Sequence, residues 1–133
     1  MNGYHNRMAW IDLGKRKAEI RSIDEKDRDL FAGCASLGAV YLARLVDGKT
    51  DPLGPENPLI FMTGPFAASG VPASSRHNVI SLSPLTGIYG ESNSGGSFGW
   101  QLKRTGFDGI PSTPREAANS VRMARYLPRI VEY

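Results

Sequence analysis

The first two dozen residues alternate between apolar and polar side chains, as strands with one buried face do. Residues 4–13 place Met8 and Trp10 on one side of an extended segment, and residues 17–23 alternate again after a short polar turn. Two such runs joined by a turn predict a β-hairpin.

The spacing of apolar residues then changes from strand to helix. Asp24 is a good N-cap for a short, acid-rich helix that we expect to end at Gly33. A second helix is predicted because apolar residues recur three and four positions apart, and Gly48 follows as a stop signal. The residues at this spacing are Leu37, Val40, Tyr41 and Leu45.

The middle of the chain consists of short apolar runs separated by turn-forming residues. Residues 51–58 are rich in proline and predict a rigid surface connection. Residues 59–63 and 79–83 are apolar enough for two buried strands. Glycine is frequent between residues 84 and 106, where we expect turns and one short helix over residues 98–105.

The last 23 residues have a different pattern from everything before them. Residues 113–116 (Thr-Pro-Arg-Glu) form a capping box with proline at the first helical position. On a helical wheel, arginines fall on one arc and apolar residues on the opposite arc, which predicts an amphipathic helix ending at Pro128. The arginines are Arg115, Arg122, Arg125 and Arg129, and the apolar residues are Ala117, Val121, Ala124 and Leu127.

Composition and charge narrow the class of protein. The chain has 133 residues, 41% of them hydrophobic, which indicates one folded domain; 15 glycines and nine prolines favour short elements over a helical bundle. A net charge of +3 without a basic stripe argues against nucleic-acid binding. The start lacks an apolar signal core, and no apolar run reaches the roughly 20 residues of a membrane span, so we expect a soluble, cytoplasmic protein.

The segment with the most distinctive chemistry is Glu-Ser-Asn-Ser-Gly-Gly-Ser-Phe-Gly at residues 91–99. A glycine pair before a helix lets the backbone approach a ligand and directs N–H groups at an anion. Asn93 and Ser94 add an amide and a hydroxyl, while Gly95 and Gly96 supply the open backbone. The segment alone is compatible with a phosphate cradle or with an ordinary glycine-rich turn.

Nearby polar residues allow a functional and a structural interpretation. Arg76 precedes a predicted strand, where its guanidinium is able to bind a phosphate or a ring carbonyl, or to remain a surface charge. His77 is more typical of a structural residue, and Glu91 of a capping or pairing residue than of a catalytic base. Cys34 is the only cysteine, so no intrachain disulfide forms, and we expect a small buried residue there.

Several long phrases resemble the N-terminal part of the aldehyde:ferredoxin oxidoreductase family. Three of them occur in the family's order and spacing: DPLGPENPLIFMTGP, SRHNVISLSPLTGIYGESNSGG and FGWQLKRTGFDGI. Two others lie nearer the start of the chain: GYHNRMAWIDLGKRKAEI resembles the family's first hairpin, and FAGCASLGA resembles its Gly-rich helix start. The resemblance covers residue 3 to about 110, and residues 111–133 depart from it.

The resemblance implies an α+β fold and a cofactor site. We expect residues 1–110 to be the β-rich, tungstopterin-binding domain, with sheets forming a saddle beneath the cofactor, and residues 111–133 to be a divergent tail. Arg76 matches the family's pterin-contacting arginine. Asn93 and Gly95, with Ser94 and Gly96 in the same loop, match the residues that hold the cofactor near its phosphate and a bridging magnesium.

The activity implied is oxidation of aldehydes to carboxylic acids with ferredoxin as electron acceptor, at a tungsten (or molybdenum) bis-pterin cofactor. An iron–sulfur cluster of the cubane type needs four cysteine thiolates, so we expect the cluster only in domains beyond this chain, which serve as its partners. We therefore expect a portion that is inactive alone. The alternative is a truncated or split gene product that acts as a non-catalytic interaction module.

Overall fold

The computed structural model describes residues 3–113, which form six strands and three helices. In chain order these are β1 (Arg7–Asp12), β2 (Lys17–Ser22), α1 (Glu25–Phe31), α2 (Cys34–Leu45), β3 (Leu59–Thr63), β4 (His77–Leu82), β5 (Tyr89–Ser94), α3 (Phe98–Arg104) and β6 (Gly109–Thr113). The predicted α+β class is confirmed. The predicted short elements are also present.

All six strands belong to one sheet with the spatial order β2-β1-β6-β3-β4-β5. Neighbouring strands are antiparallel except for β1 and β6, which run parallel. The last described strand is therefore inserted between β1 and β3 at the centre of the sheet. Among the described residues, β2 and β5 are the two edge strands.

The sheet has a hydrophobic cluster on each face, because successive side chains of a strand point to opposite sides. Helix α2 covers one face, where Met8, Ile60 and Ile80 are fully buried. Helix α3 contacts the other face, where Leu102 packs in a smaller cluster with Ile110. We call these faces the α2 face and the α3 face.

The predicted hairpin and the predicted α2 helix are both present. Strands β1 and β2 pair over their full length, and Trp10 joins Met8 at the α2-face cluster as the alternation indicated. The predicted cap of α1 is also confirmed, since the Asp24 carboxylate accepts a hydrogen bond from the Lys26 N–H at 2.8 Å. Arg44 of α2 pairs with the buried Asp27 of α1 and links the two helices.

The connection at residues 51–58 contains neither helix nor strand, as predicted, but it is firmly attached to the sheet. The buried Asn57 donates to the carbonyl oxygens of Pro52 and Leu82, at 2.7 and 3.0 Å. Its amide oxygen accepts from the Leu82 N–H and the Ser81 hydroxyl. One buried amide thus replaces the regular hydrogen bonds that this connection lacks.

Two strands were missed by the apolar pattern. Residues 89–94 form β5, so Asn93 and Ser94 lie in a strand and only Gly95 and Gly96 lie in the turn that follows. Strand β6 runs from Gly109 to Thr113 across the predicted division between residues 110 and 111. The first three residues of the predicted tail therefore belong to the sheet.

The predicted amphipathic helix begins at the 113–116 capping box, and apart from Thr113 it lies outside the described residues. Within residues 3–113, no helix combines the length and the apolar character needed to cross a bilayer.

Candidate functional site

The end of β5 and the start of β4 bring the predicted site residues together. Arg76 immediately precedes β4, and Ser94 at the end of β5 pairs with the neighbouring His77. Antiparallel pairing therefore places residues far apart in sequence at one corner of the sheet. We call this corner the β5-edge cluster: Arg76, Asn93, Ser94, Gly95 and Gly96.

A direct hydrogen bond joins the two side chains of the cluster. Arg76 Nη1 donates to Asn93 Oδ1 at 2.5 Å, and both residues are exposed. The acceptor is a neutral amide, and within residues 3–113 Arg76 has no carboxylate within ion-pair distance. The bond therefore orients the guanidinium without neutralising its charge, as an anion-binding arginine requires.

The turn after β5 has an open backbone. Gly96 adopts φ of +82°, a conformation that residues with a Cβ rarely take. Apart from the adjacent residues of the chain, a Cβ added at Gly95 or Gly96 would have no described atom within 4 Å. Space therefore exists beside this backbone for a ligand group, although no tertiary neighbour within the described residues requires glycine at 95.

The loop before β4 is locked to this turn through one hydroxyl group. Ser75 Oγ donates to the Gly96 carbonyl at 2.8 Å and accepts from the Trp100 N–H at 2.9 Å. Gly99 permits the contact, because a Cβ there would stand 3.0 Å from the Arg76 carbonyl oxygen. The turn, the start of α3 and the Arg76 backbone therefore form one connected unit.

Helix α3 has only seven residues, so its dipole contributes little to anion binding at its start. Ser97 occupies the N-cap position in a helical conformation, and its hydroxyl caps no described N–H group. The hydroxyl that accepts the Trp100 N–H comes instead from Ser75, which is 25 residues earlier in the chain.

A buried ion pair fixes the end of α3 to the start of β6, at the centre of the sheet. Lys103 Nζ donates to the Asp108 carboxylate, and both side chains are almost completely excluded from solvent. The same carboxylate accepts the His5 N–H at 3.0 Å, which ties the start of the chain to the connection between α3 and β6. Charged hydrogen bonds compensate for the cost of burying both groups.

The remaining polar residues near the cluster have structural surroundings. His77 is buried with its ring 4.6 Å from that of Phe98, and burial lowers the pKa of its imidazole. Glu91 accepts hydrogen bonds from Asn78 and from the Tyr89 hydroxyl. Burial, and then the bond to Glu91, raise the pKa of Tyr89 to about 12.

Cys34 begins α2 beneath the end of β3 and is half-buried. Burial raises the pKa of its thiol, which disfavours the nucleophilic thiolate. The expectation of a small packed residue agrees with this environment better than a reactive thiol does. A Cβ at Gly64 would lie 2.8 Å from the Cys34 sulfur, so the thiol fills the space beside that glycine.

These contacts favour binding of an anion over direct binding of a metal ion. The cluster offers a guanidinium and an open backbone turn, both of which suit phosphate oxygens. Within residues 3–113, no group of three His, Cys, Asp or Glu side chains is arranged to hold a metal.

Sequence reasoning identified five residues that the structure brings to one corner, and their contact with a ligand stays a prediction. It missed Ser75 and Trp100, whose contacts link the strand start to the turn. No local signal distinguishes Ser75 from the adjacent Ser74, because only the tertiary contact gives one of these hydroxyls a role at the turn.

Comparison with known proteins points to one family. Residues 8–119 match the family model described as aldehyde ferredoxin oxidoreductase, N-terminal domain, so the match reaches past Ile110. The tungsten-containing aldehyde ferredoxin oxidoreductase of Pyrococcus horikoshii is 37% identical over 110 residues, and that of Thermococcus kodakarensis is 36% identical over the same length. Each alignment covers 83% of this chain and 18% of the relative.

Two further similarities are more distant. The "aliphatic sulfonate oxidoreductase, WOR-like subunit" of Pyrococcus furiosus is 32% identical over 114 residues, covering 83% of this chain and 18% of the relative. The active-site complex BamBC of benzoyl coenzyme A reductase, solved with 1,5-dienoyl-CoA, superposes with a TM-score of 0.83 at 23% identity. That superposition covers 96% of this chain and 23% of the solved chain, and it establishes a shared fold.

Proposed function

The chain belongs to the aldehyde ferredoxin oxidoreductase family, whose N-terminal domain it matches, and we propose that it forms one wall of a tungsten–pterin site. In the complete enzyme, this site oxidises an aldehyde to a carboxylic acid and passes the electrons to ferredoxin. The chain spans about a fifth (18%) of the length of the curated relatives that it matches. Most of the enzyme is therefore supplied by other domains or subunits.

The observation that carries this proposal is the pairing of Arg76 with Asn93 beside an open glycine turn. The 2.5 Å bond to Asn93 orients a positive charge, and the adjacent Gly95–Gly96 backbone has space for a ligand. A guanidinium beside exposed backbone amides is a typical phosphate-binding combination. We assign the phosphate end of a pterin cofactor to this corner, with Ser94 as an additional polar contact.

The residues present fit such a cofactor better than they fit a bare ion. A cofactor of this class would bring its own sulfur donors for tungsten or molybdenum, so this chain would need to supply no metal ligand here. A magnesium ion at the cofactor phosphates would reduce their repulsion, while Arg76 would supply a positive charge and the Gly95–Gly96 backbone would orient the phosphates. When bound, the metal cofactor supplies the redox chemistry.

The other parts of the proposed activity reside outside this chain. A cubane iron–sulfur cluster needs four thiolates, and Cys34 is the only cysteine. We therefore place the cluster ligands, the substrate channel and the ferredoxin contact in the remaining domains, and the complete enzyme in the cytoplasm. We also propose that the N-terminal structural unit extends at least to Thr113, because β6 lies between β1 and β3.

A chimera tests the cofactor assignment. Residues 8–119 replace the equivalent segment of the Pyrococcus horikoshii relative, and tungsten and pterin are measured after gel filtration. Gly95→Val should lose both, because the new side chain occupies the space that we assign to the cofactor. Arg76→Ala should weaken retention by about ten- to a hundredfold, as expected for one charge-assisted hydrogen bond.

Two matched variants separate a site effect from a folding effect. Gly48 also has open space around an added Cβ and no positive φ, but it lies in the loop after α2. Arg21 is an exposed arginine on the opposite edge of the sheet. Gly48→Val and Arg21→Ala should retain both components, with unchanged circular dichroism. Full retention in the Gly95→Val chimera would contradict the assignment and favour an ordinary glycine-rich turn at residues 95 and 96.

A further inference from the structure

We infer that Ser75 is a positioning residue for the proposed cofactor site, holding the Gly95–Gly96 turn in a fixed relation to Arg76. The inference rests on the proposed function, because the turn and Arg76 are its phosphate contacts. Ser75 itself is not assigned a contact with the ligand. It acts through the groups to which its hydroxyl is bonded.

The Ser75 hydroxyl makes hydrogen bonds on both sides of the turn. It donates to the Gly96 carbonyl at 2.8 Å and accepts the Trp100 N–H at 2.9 Å. A hydroxyl is able to donate and accept at the same time, so one side chain bonds to both ends of the five-residue segment from Gly96 to Trp100. No apolar or purely donating side chain at position 75 would reproduce both contacts.

These bonds matter because the turn has few other restraints. Gly95 and Gly96 each have open space beside the backbone, and Gly96 already lies at positive φ. Glycine has the largest conformational freedom of any residue, so an unrestrained glycine pair samples many arrangements. Fixing the Gly96 carbonyl therefore also limits the directions in which the neighbouring backbone N–H groups point.

Ser75 also transmits this restraint to Arg76, because the two residues are adjacent in the chain. The Arg76 carbonyl lies against Gly99, which keeps the backbone of both residues close to the start of α3. The Arg76 side chain then bonds to Asn93 on the other side of the turn. The loop that contains Ser75, the Gly95–Gly96 turn and the end of β5 are therefore joined by a closed series of contacts. The Ser75 hydroxyl makes two of these contacts.

Ser74 provides a matched control in the same loop. Its hydroxyl oxygen lies 2.7 Å from the carbonyl oxygens of Phe66 and of Val71, either of which is able to accept its hydrogen bond. It makes no described hydrogen bond with the turn. Ser74→Ala therefore removes a loop hydrogen bond from the adjacent position while leaving the proposed restraint intact. Threonine at position 75 keeps the hydroxyl, whereas valine has nearly the same shape without it.

The experiment uses the full chain labelled with nitrogen-15 and inorganic pyrophosphate as the probe. Amide exchange at Trp100 reports the restraint, and shifts of the Gly95 and Gly96 amide signals report binding. In Ser75→Ala, exchange at Trp100 should accelerate, and the Kd for pyrophosphate should rise, each by about five- to tenfold, as for the loss of one net hydrogen bond. Ser75→Thr and Ser74→Ala should stay within about twofold of the parent chain, a change equivalent to a few tenths of a kcal/mol.

The outcomes distinguish this inference from the proposed function. Unchanged Trp100 exchange in Ser75→Ala overturns the inference, whatever happens to binding. Faster exchange with unchanged binding, while Arg76→Ala loses binding, overturns the inference and leaves the proposed anion site in place. A parent chain that binds no pyrophosphate overturns both. If Ser75→Ala does not fold, the Ser75→Val and Ser75→Thr pair makes the same comparison, and equal behaviour of the two overturns the inference.

Discussion

The two edges of the sheet are both exposed strands, but their arginines have different partners. On β2, Glu19 accepts from Lys17 at 2.9 Å and from Arg21 at 3.0 Å, and Arg21 also stacks over the Trp10 ring. At the β5 edge, Arg76 bonds to the neutral amide of Asn93. Both cations of β2 thus share the single carboxylate of Glu19 within one strand, whereas no carboxylate in residues 3–113 pairs with Arg76.

The difference indicates what each edge is for. An exposed edge strand is able to pair with another chain, and charged side chains on the edge discourage such pairing. The alternating charges of β2 fit this protective role. The second half of β5 instead carries the short polar side chains of Ser92, Asn93 and Ser94, with an oriented guanidinium and an open turn beside its end, which fit a binding role better.

The largest effect should come from neither edge but from the buried ion pair that joins α3 to the start of the central strand β6. Lys103→Met leaves the Asp108 carboxylate buried without its charged partner, which should lower the free energy of unfolding by about 3–5 kcal/mol. Urea unfolding followed by circular dichroism measures this loss. Lys49→Met, at an exposed loop residue, should have little effect. A loss below about 1 kcal/mol would show that the pair adds little support to α3.

An intermediate effect is expected within the turn itself. Gly96→Ala should cost about 1–2 kcal/mol, because alanine is strained at φ of +82° although space exists for its methyl group. Gly95→Ala is the matched variant and should change stability by less than about 0.5 kcal/mol, since its φ is not positive. Equal losses in the two variants, measured by urea unfolding, would contradict the described turn conformation.

The smallest effect should come from the ion-paired β2 edge. Hydrogen bonds from Lys17 and then Arg21 lower the pKa of the Glu19 carboxyl below its ordinary value of 4.5. A lowered folded-state pKa stabilises the protein above the unfolded-state pKa, and this contribution disappears as the pH falls through the folded-state pKa. Glu19→Gln should therefore shift the melting temperature only slightly at neutral pH, and the difference should shrink in acid and in high salt.

Melting curves at several pH values and two salt concentrations check this expectation. If Glu19→Gln lowered the melting temperature as much as Gly96→Ala does in the same measurement, the β2 edge would contribute more to stability than surface ion pairs usually do. Such a result would also weaken the contrast between a protective edge and a binding edge.

Elements with a strong local signal were predictable from the sequence. Alternating apolar residues indicated the β1–β2 hairpin, and Asp24 marked the start of α1 because a carboxylate satisfies free N–H groups at a helix start. Phe98 was correctly placed at the start of a short helix after a glycine pair. Each of these signals lies within a few residues of the element that it predicts.

Strands β5 and β6 lacked such a signal. Strand β5 is polar along most of its length because neither of its faces is covered within the described residues, so it shows no alternation. Strand β6 contains Pro111, a residue that usually marks a strand edge or an end, yet Pro111 is fully buried opposite Ile60. Strand β6 takes its place in the sheet because it pairs with β1 on one side and with β3 on the other.

The sequence by itself determined the local elements, the family resemblance and the residue types available for an anion. The tertiary structure alone decided that Arg76 meets Asn93, that Ser75 rather than Ser97 caps the Trp100 amide, and that β6 enters the centre of the sheet. Periodicity and capping report interactions between residues a few positions apart. Several hydrogen bonds instead join residues 17, 25 or about 100 positions apart. These bonds depend on which strands pair in the sheet, and no local pattern encodes that pairing.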